Sequence, residues 1–159
     1  MSSPDIRLWL RFDPLTTQVW SAPDAREHVH LTLPVGAGAL AQEVLRHVPP
    51  RPLEIEQAIE VVEEAVMPAR AQLPSTIRLC CADPHLKLMA TMVTQAKDPV
   101  WLGIDAVEQL FNRLVARAEG RPALQDELPV DGPSAARLVI VREILHHWGL
   151  PGFDVSALI

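Results

Sequence analysis

Tyrosine is absent from this chain, aromatic residues make up only 4% of it, and its two cysteines are neighbours, Cys80 and Cys81. Each scarcity excludes something. With so few rings, packing must come from Leu, Val, Ile and Ala, and the hydrophobic fraction still reaches 48%. Adjacent side chains on an extended strand point to opposite faces, so Cys80 and Cys81 do not suit a mutual disulfide. Reduced thiols in a cytoplasmic protein are the expectation. Basic residues are in deficit too, 14 against 20 acidic, for a net charge of -6. Such a chain repels a phosphate backbone unless its cations gather on one surface, so nucleic acid is not expected as a partner. No apolar run approaches the roughly 20 residues that cross a bilayer. The opening Met1-Ser2-Ser3-Pro4-Asp5 has no basic segment leading into an apolar one, so neither a membrane span nor a secretion signal is expected.

What is present is a change of period. Ile6, Leu8, Leu10 and Phe12 alternate with Arg7, Trp9 and Arg11, which marks a half-buried strand. Asp13-Pro14-Leu15-Thr16-Thr17 then supplies turn chemistry, with Pro where its fixed φ is wanted. A return strand over 18–21 and a third over 28–33 complete an antiparallel meander with one apolar face. A short helix is expected over 39–47, closed by Pro49-Pro50. From Leu53 the apolar residues recur every three or four positions. Ile55, Ile59, Val62 and Val66 line one stripe of a helix over 53–69 whose regular part Pro68 ends.

Residues 76–81 alternate again, as a fourth strand. Asp83 with Pro84 then opens a helix that buries Leu86, Met89, Met92 and Val93. Another helix, about 103–118, turns Ile104, Val107, Leu110, Phe111, Leu114 and Val115 inward. Residues 120–132 read as a loop. The run Leu138-Val139-Ile140-Val141 could sit in a buried strand, but the roughly fifteen residues of 134–148 exceed ordinary strand length, so a helix ended by Gly149 is expected. At 159 residues the chain can bury a core without staples. The expected fold is one α+β domain over 1–159, a small mainly antiparallel N-terminal sheet of three to four strands packed against four to five helices.

Several constellations could carry chemistry. Gly36-Ala37-Gly38-Ala39-Leu40-Ala41 matches G-x-G-x-x-A between a candidate strand and a candidate helix, the setting in which backbone amides meet a phosphate. Glu56 lies at the distance of a ribose-binding acid, but inside a helical pattern rather than at the end of a second parallel strand. His28 and His30 project from one face of a strand, yet two imidazoles are not a metal site, and no metal is nominated. If the hairpin pairs as expected, Arg7, Trp9 and Arg11 share the face of His28 and His30. Cations, an indole and imidazoles together suit an acidic peptide or carboxylate ligand. Cys80-Cys81-Ala82-Asp83-Pro84-His85 gathers thiol, acid and imidazole near a helix start, but no base is placed on a thiol. His146-His147 ends the last helix, where partial negative charge favours imidazolium.

Three antiparallel strands followed by helix, strand and helix resemble the opening order of ribonuclease H-like and actin-like ATPase folds. Those folds use acids near the first strand, where Asp13 stands here, to hold a divalent ion. The glycine-rich phosphate loop of the ATPases is missing from residues 13–17, and no spaced acidic set is identifiable. Every candidate reactive cluster thus lacks a partner group. The first expectation is a non-catalytic cytoplasmic binding or assembly protein, with a protein partner or self-association through the face of Arg7, Trp9 and Arg11 or the helix of Leu110 and Phe111. The alternative is a nucleotide- or phosphate-binding enzyme or regulator using the loop from Gly36 to Gly38. No catalytic residue and no cofactor is nominated.

Overall fold

The computed structural model describes residues 5–156. The segment Met1-Ser2-Ser3-Pro4, on which the expectation of no secretion signal rests, lies outside them. Strand β1 (Ile6–Phe12) turns at Asp13, whose N–H donates to the Thr16 carbonyl at 2.9 Å. It returns as β2 (Thr17–Ser21), and β3 (His30–Leu33) pairs with β2, all antiparallel. Ile6, Leu8 and Leu10 are buried while Arg7 and Arg11 are exposed. Register follows from that alternation: a slip by one residue would expose three large apolar side chains, each worth about 2 kcal/mol when buried, and bury two guanidinium groups.

The sheet does not stop there. β4 (Ile77–Ala82) lies parallel beside β1, with Leu8 opposite Leu79. Two further strands, β5 (Val100–Gly103) and β6 (Gly152–Ser156), complete it, β6 parallel to β4 and β5 antiparallel to β6. The order is β3-β2-β1-β4-β6-β5, a six-stranded mixed sheet. The expected small antiparallel sheet of three to four strands is therefore corrected to a larger mixed one. β5 and β6 are short, and glycines sit at their ends. At Gly152 the strand passes so close to β5 that a Cβ would come within 2.6 Å of the Leu102 carbonyl oxygen.

Five helices are described: α1 (Ala37–Glu43), α2 (Pro52–Val66), α3 (Pro84–Ala90), α4 (Ile104–Ala118) and α5 (Gly132–Trp148). Their starts follow cap chemistry. Asp83 Oδ1 accepts the Leu86 N–H at 3.0 Å with Pro84 in the first turn. Asp131 Oδ2 accepts the Ser134 N–H at 3.0 Å with Pro133 in the first turn. Gly149, at φ 67°, ends α5 in the left-handed conformation. Helix α2 stops at Val66, and Pro68 opens a 3-10 segment, Pro68–Gln72.

Helix α5 is the hub: α1, α2, α3 and α4 all pack against it. That explains its unpatterned run, since Leu138, Val139, Ile140 and Val141 are all buried and no side of that stretch needs to be polar. The apolar face of the sheet and these helices share one core. The opposite face of β1 and its neighbours carries Arg7, Trp9, Arg11, Trp20, Arg78 and Asp154. No helix among the described residues is long and apolar enough to cross a membrane.

Candidate functional site

Strands β1, β4 and β6 run in one direction, so their carboxyl ends meet at one edge of the sheet. From β1 the chain departs toward β2 on one side, and it later returns through β4 on the other. The ends of β1 and β4 thus flank the topological switch, the place at which open sheets with parallel strands receive ligands.

Its walls are built by local chemistry. Asp83, buried where β4 passes into α3, uses one oxygen to cap the helix and offers the other to Arg137 Nε at 2.8 Å. Arg137 reaches from the second turn of α5. Its guanidinium lies over the Phe12 ring at 5.5 Å, and its Nη1 donates to the Pro133 carbonyl at 3.0 Å. His85 Nδ1 stands 3.0 Å from the hydroxyl of Ser134, itself buried at the start of α5. Asp13, just beyond β1, is held by Arg11 through a two-pronged pair at 3.0 and 3.2 Å. An arginine, a histidine and a serine thus stand with Asp83 at the end of β4, and the ring of Phe12 brings the end of β1 to the same arginine.

Gly36 and Gly38 belong to this edge. A Cβ on Gly36 would run into the Pro14 carbonyl oxygen and the Leu15 backbone, and one on Gly38 would lie 3.0 Å from Pro14 Cα. The Ala39 N–H donates to the Pro14 carbonyl at 2.8 Å. The glycines therefore let the start of α1 close against the β1–β2 turn that carries Asp13. Glu56 is an exposed residue of α2.

Arg7 and Trp9 lie elsewhere, on the open face of the sheet. With Arg78, Cys80 and Asp154 they line a hollow of about 350 Å³. There Arg78 grips Asp154 at 2.6 and 3.1 Å and lies 5.2 Å from the centre of the Trp101 ring. Trp9, Trp20 and His30 form one rank across β1, β2 and β3, so His30 does share that face. Arg11, on the same face of β1, sits 5.7 Å over the Trp20 ring. His28 is an exposed residue ahead of β3. The nominated cations and aromatics are thus gathered on the face, and the glycines sit at the strand ends.

The other sequence candidates resolve simply. Cys80 and Cys81 are free and buried, and burial pushes both thiols up, the opposite of what a thiolate nucleophile needs. Leu110 and Phe111 are consumed by the core and form no contact surface. Sequence reasoning missed Ser134 and Arg137. They lie three apart and so share a helix face, but Asp83 and His85, which give them meaning, are some fifty positions away along the chain.

No protein-family model matches the sequence, and no curated protein matches it. Solved structures do. A Ppx/GppA family member of Aquifex aeolicus superposes with a TM-score of 0.71 at 14% identity, over 96% of this chain and 53% of that one. A type II variant of the Aquifex aeolicus Ppx/GppA phosphatase gives 0.70 at 14% identity, over 96% and 54%. An exopolyphosphatase from Cytophaga hutchinsonii gives 0.70 at 16% identity, over 96% and 53%. The chain has the fold of these proteins and spans about half the length of each. The likeness corrects the first functional expectation: the proteins sharing this architecture are phosphatases and exopolyphosphatases, which fits the phosphate-handling alternative and not a non-catalytic binding or assembly protein.

Proposed function

We infer that this chain handles phosphate, binding the terminal phosphoryl group of a phosphoanhydride such as inorganic polyphosphate or a nucleotide, as one lobe of a phosphohydrolase. The observation that carries the reading is Arg137, which spans the ends of β1 and β4 by touching Phe12 and Asp83, with the His85–Ser134 pair between the starts of α3 and α5. Arg137 has two of its nitrogens fixed, on Asp83 and on the Pro133 carbonyl, so the guanidinium is held in place while Nη2 makes no hydrogen bond to a described residue. A planar, permanently charged fork suits a phosphate oxygen. With Nδ1 on Ser134, His85 keeps Nε2 for moving a proton to or from the anhydride oxygen.

The acids do not add a ready metal cage. Both oxygens of Asp13 are on Arg11, and those of Asp83 are on Arg137 and the Leu86 amide, so a cation there would have to share each oxygen with a donor already in place. The role of the glycines in this reading is positional: they let α1 close against the β1–β2 turn, which follows the Phe12 ring that Arg137 covers.

Thermal shift and orthophosphate release test the proposal, with inorganic polyphosphate and a panel of nucleotides as probes, each with and without magnesium. A raised melting temperature is expected for at least one probe, together with release of orthophosphate. Arg137→Ala should weaken that binding at least about tenfold, and Arg137→Lys, which keeps charge but loses the fork, should recover only part of it. Absence of both shift and release for every probe sinks the reading.

A further inference from the structure

Away from the strand ends, α2 and α5 lie side by side in the same direction. The Trp148 indole N–H at the end of α5 donates to the Val66 carbonyl at the end of α2, at 3.0 Å. Within about a turn and a half of those ends, Glu63 of α2 meets Glu143 and His147 of α5. The latter two are four residues apart and so share a face. His147 Nε2 lies 3.4 Å from Glu63 Oε1 and 3.2 Å from Glu143 Oε2. One ligand atom from each of the three residues falls within 4.8 Å of the others.

We propose that Glu63, Glu143 and His147 form a binding site for a divalent transition-metal ion of the zinc type, tying α2 to α5 and leaving a fourth position for water. Four observations converge on it. Tetrahedral zinc, with nitrogen and oxygen ligands at about 2.0 to 2.2 Å, sets its ligand atoms about 3.4 Å apart. The two gaps around His147 are already of that size. One imidazole and two carboxylates suit such an ion chemically. Glu143 is 2% exposed, and Arg142 Nη1 fixes its other oxygen at 2.7 Å, so Oε2 is turned toward His147 as an outer partner turns a ligand. Finally, two carboxylates meet near the negative ends of two helices, a field that favours a cation. Arg142 is shared with Glu108 at 2.8 Å, so its single charge does not cancel theirs.

The side chains of Glu63 and His147 are 39% and 25% exposed, which gives an ion and its water a way in. In the absence of a metal, the His147 ring can bridge the same two carboxylates by hydrogen bonding, and the test must separate the two states. The chain, stripped with a chelator, is titrated with zinc by calorimetry and with cobalt by visible absorption, which reports coordination directly. One ion per chain and a tetrahedral cobalt spectrum are expected. Glu63→Gln and His147→Gln should each weaken binding at least about tenfold, while His146→Gln, one residue away, leaves it unchanged. Glu63 is partly exposed, so its variant should keep the wild-type circular dichroism. Absence of saturable binding by the wild type, or binding that survives both substitutions, overturns the site. The proposal is independent of the phosphate reading, and no phosphate compound enters its test.

Discussion

At Gly36 the demand is for space and not for an unusual backbone, since its φ of -118° is open to any residue. A Cβ there meets backbone of the β1–β2 turn, which cannot swing aside as a side chain could. Gly36→Ala should therefore destabilise the fold by about 1 to 3 kcal/mol, read as a lower midpoint in urea, and it should weaken phosphate binding by moving the turn that carries Asp13. A variant as stable as wild type would show that the turn gives way freely. Asp126 is a second residue with a measurable role. Buried beside α4, it takes three hydrogen bonds from Arg113 at 2.6 to 3.1 Å and one from the Leu128 amide at 3.0 Å, and Arg121 lies 3.6 Å away. The Arg113 hydrogen bonds pull its carboxyl down to about 2, although burial opposes them. A folded-state pKa below the unfolded value near 3.9 means stability that is present above about pH 4 and lost as the pH falls toward 2. The loss should amount to about 2 kcal/mol. Asp126→Asn should lack that portion of the acid dependence when denaturation midpoints are compared between pH 5 and pH 2, and equal slopes for both proteins would refute the assignment.

At the scale of elements, the sequence was informative wherever one segment faces a single boundary between core and water. β1 and α2 each have one apolar side, so periods of two and of three to four residues announce them. Asp83-Pro84 marks a real helix start because capping is decided within one turn. The signal weakens where an element is enclosed. α5 shows no clean stripe because four helices surround it, and only its length separated it from a buried strand. It fails for β5 and β6, which have four and five residues and so offer too few alternations to count. Pairing between distant strands is not written in periodicity at all. Ile77 and Leu79 alternate identically whether β4 lies parallel or antiparallel to β1, and only the crossover through α1 and α2 makes parallel pairing possible. The candidate site was half legible for the same reason. The residues Gly36, Gly38, Asp13, Asp83 and His85 stood out locally, while Arg137 gains its meaning from Asp83 across 54 positions.

At the scale of the molecule, the path of the chain brings its first and last described strands to either side of one strand. β1 begins the described residues and β6 closes them, yet each lies beside β4, so the central three strands combine the start, middle and end of the sequence. Helix α5 repeats the device on the other layer: it is packed by helices that precede it by as much as 95 positions, from Ala37 to Gly132. Neither the N-terminal meander nor the helices can leave without opening the common core of Leu8, Leu79, Val139 and Phe153, each 0% exposed. Such an arrangement predicts one cooperative unfolding step for the isolated chain, in spite of its being half the length of the proteins whose fold it shares. The fluorescence of Trp148, buried at the end of α5 against α2, reports the helical layer once Trp9, Trp20 and Trp101 are replaced by Phe, which leaves it the one indole of the chain. Urea curves from that fluorescence and from far-ultraviolet circular dichroism should coincide within error. A fluorescence transition that separates from the dichroism would mean that the helices around α5 can part from the sheet, and that the core is divided where the topology joins it.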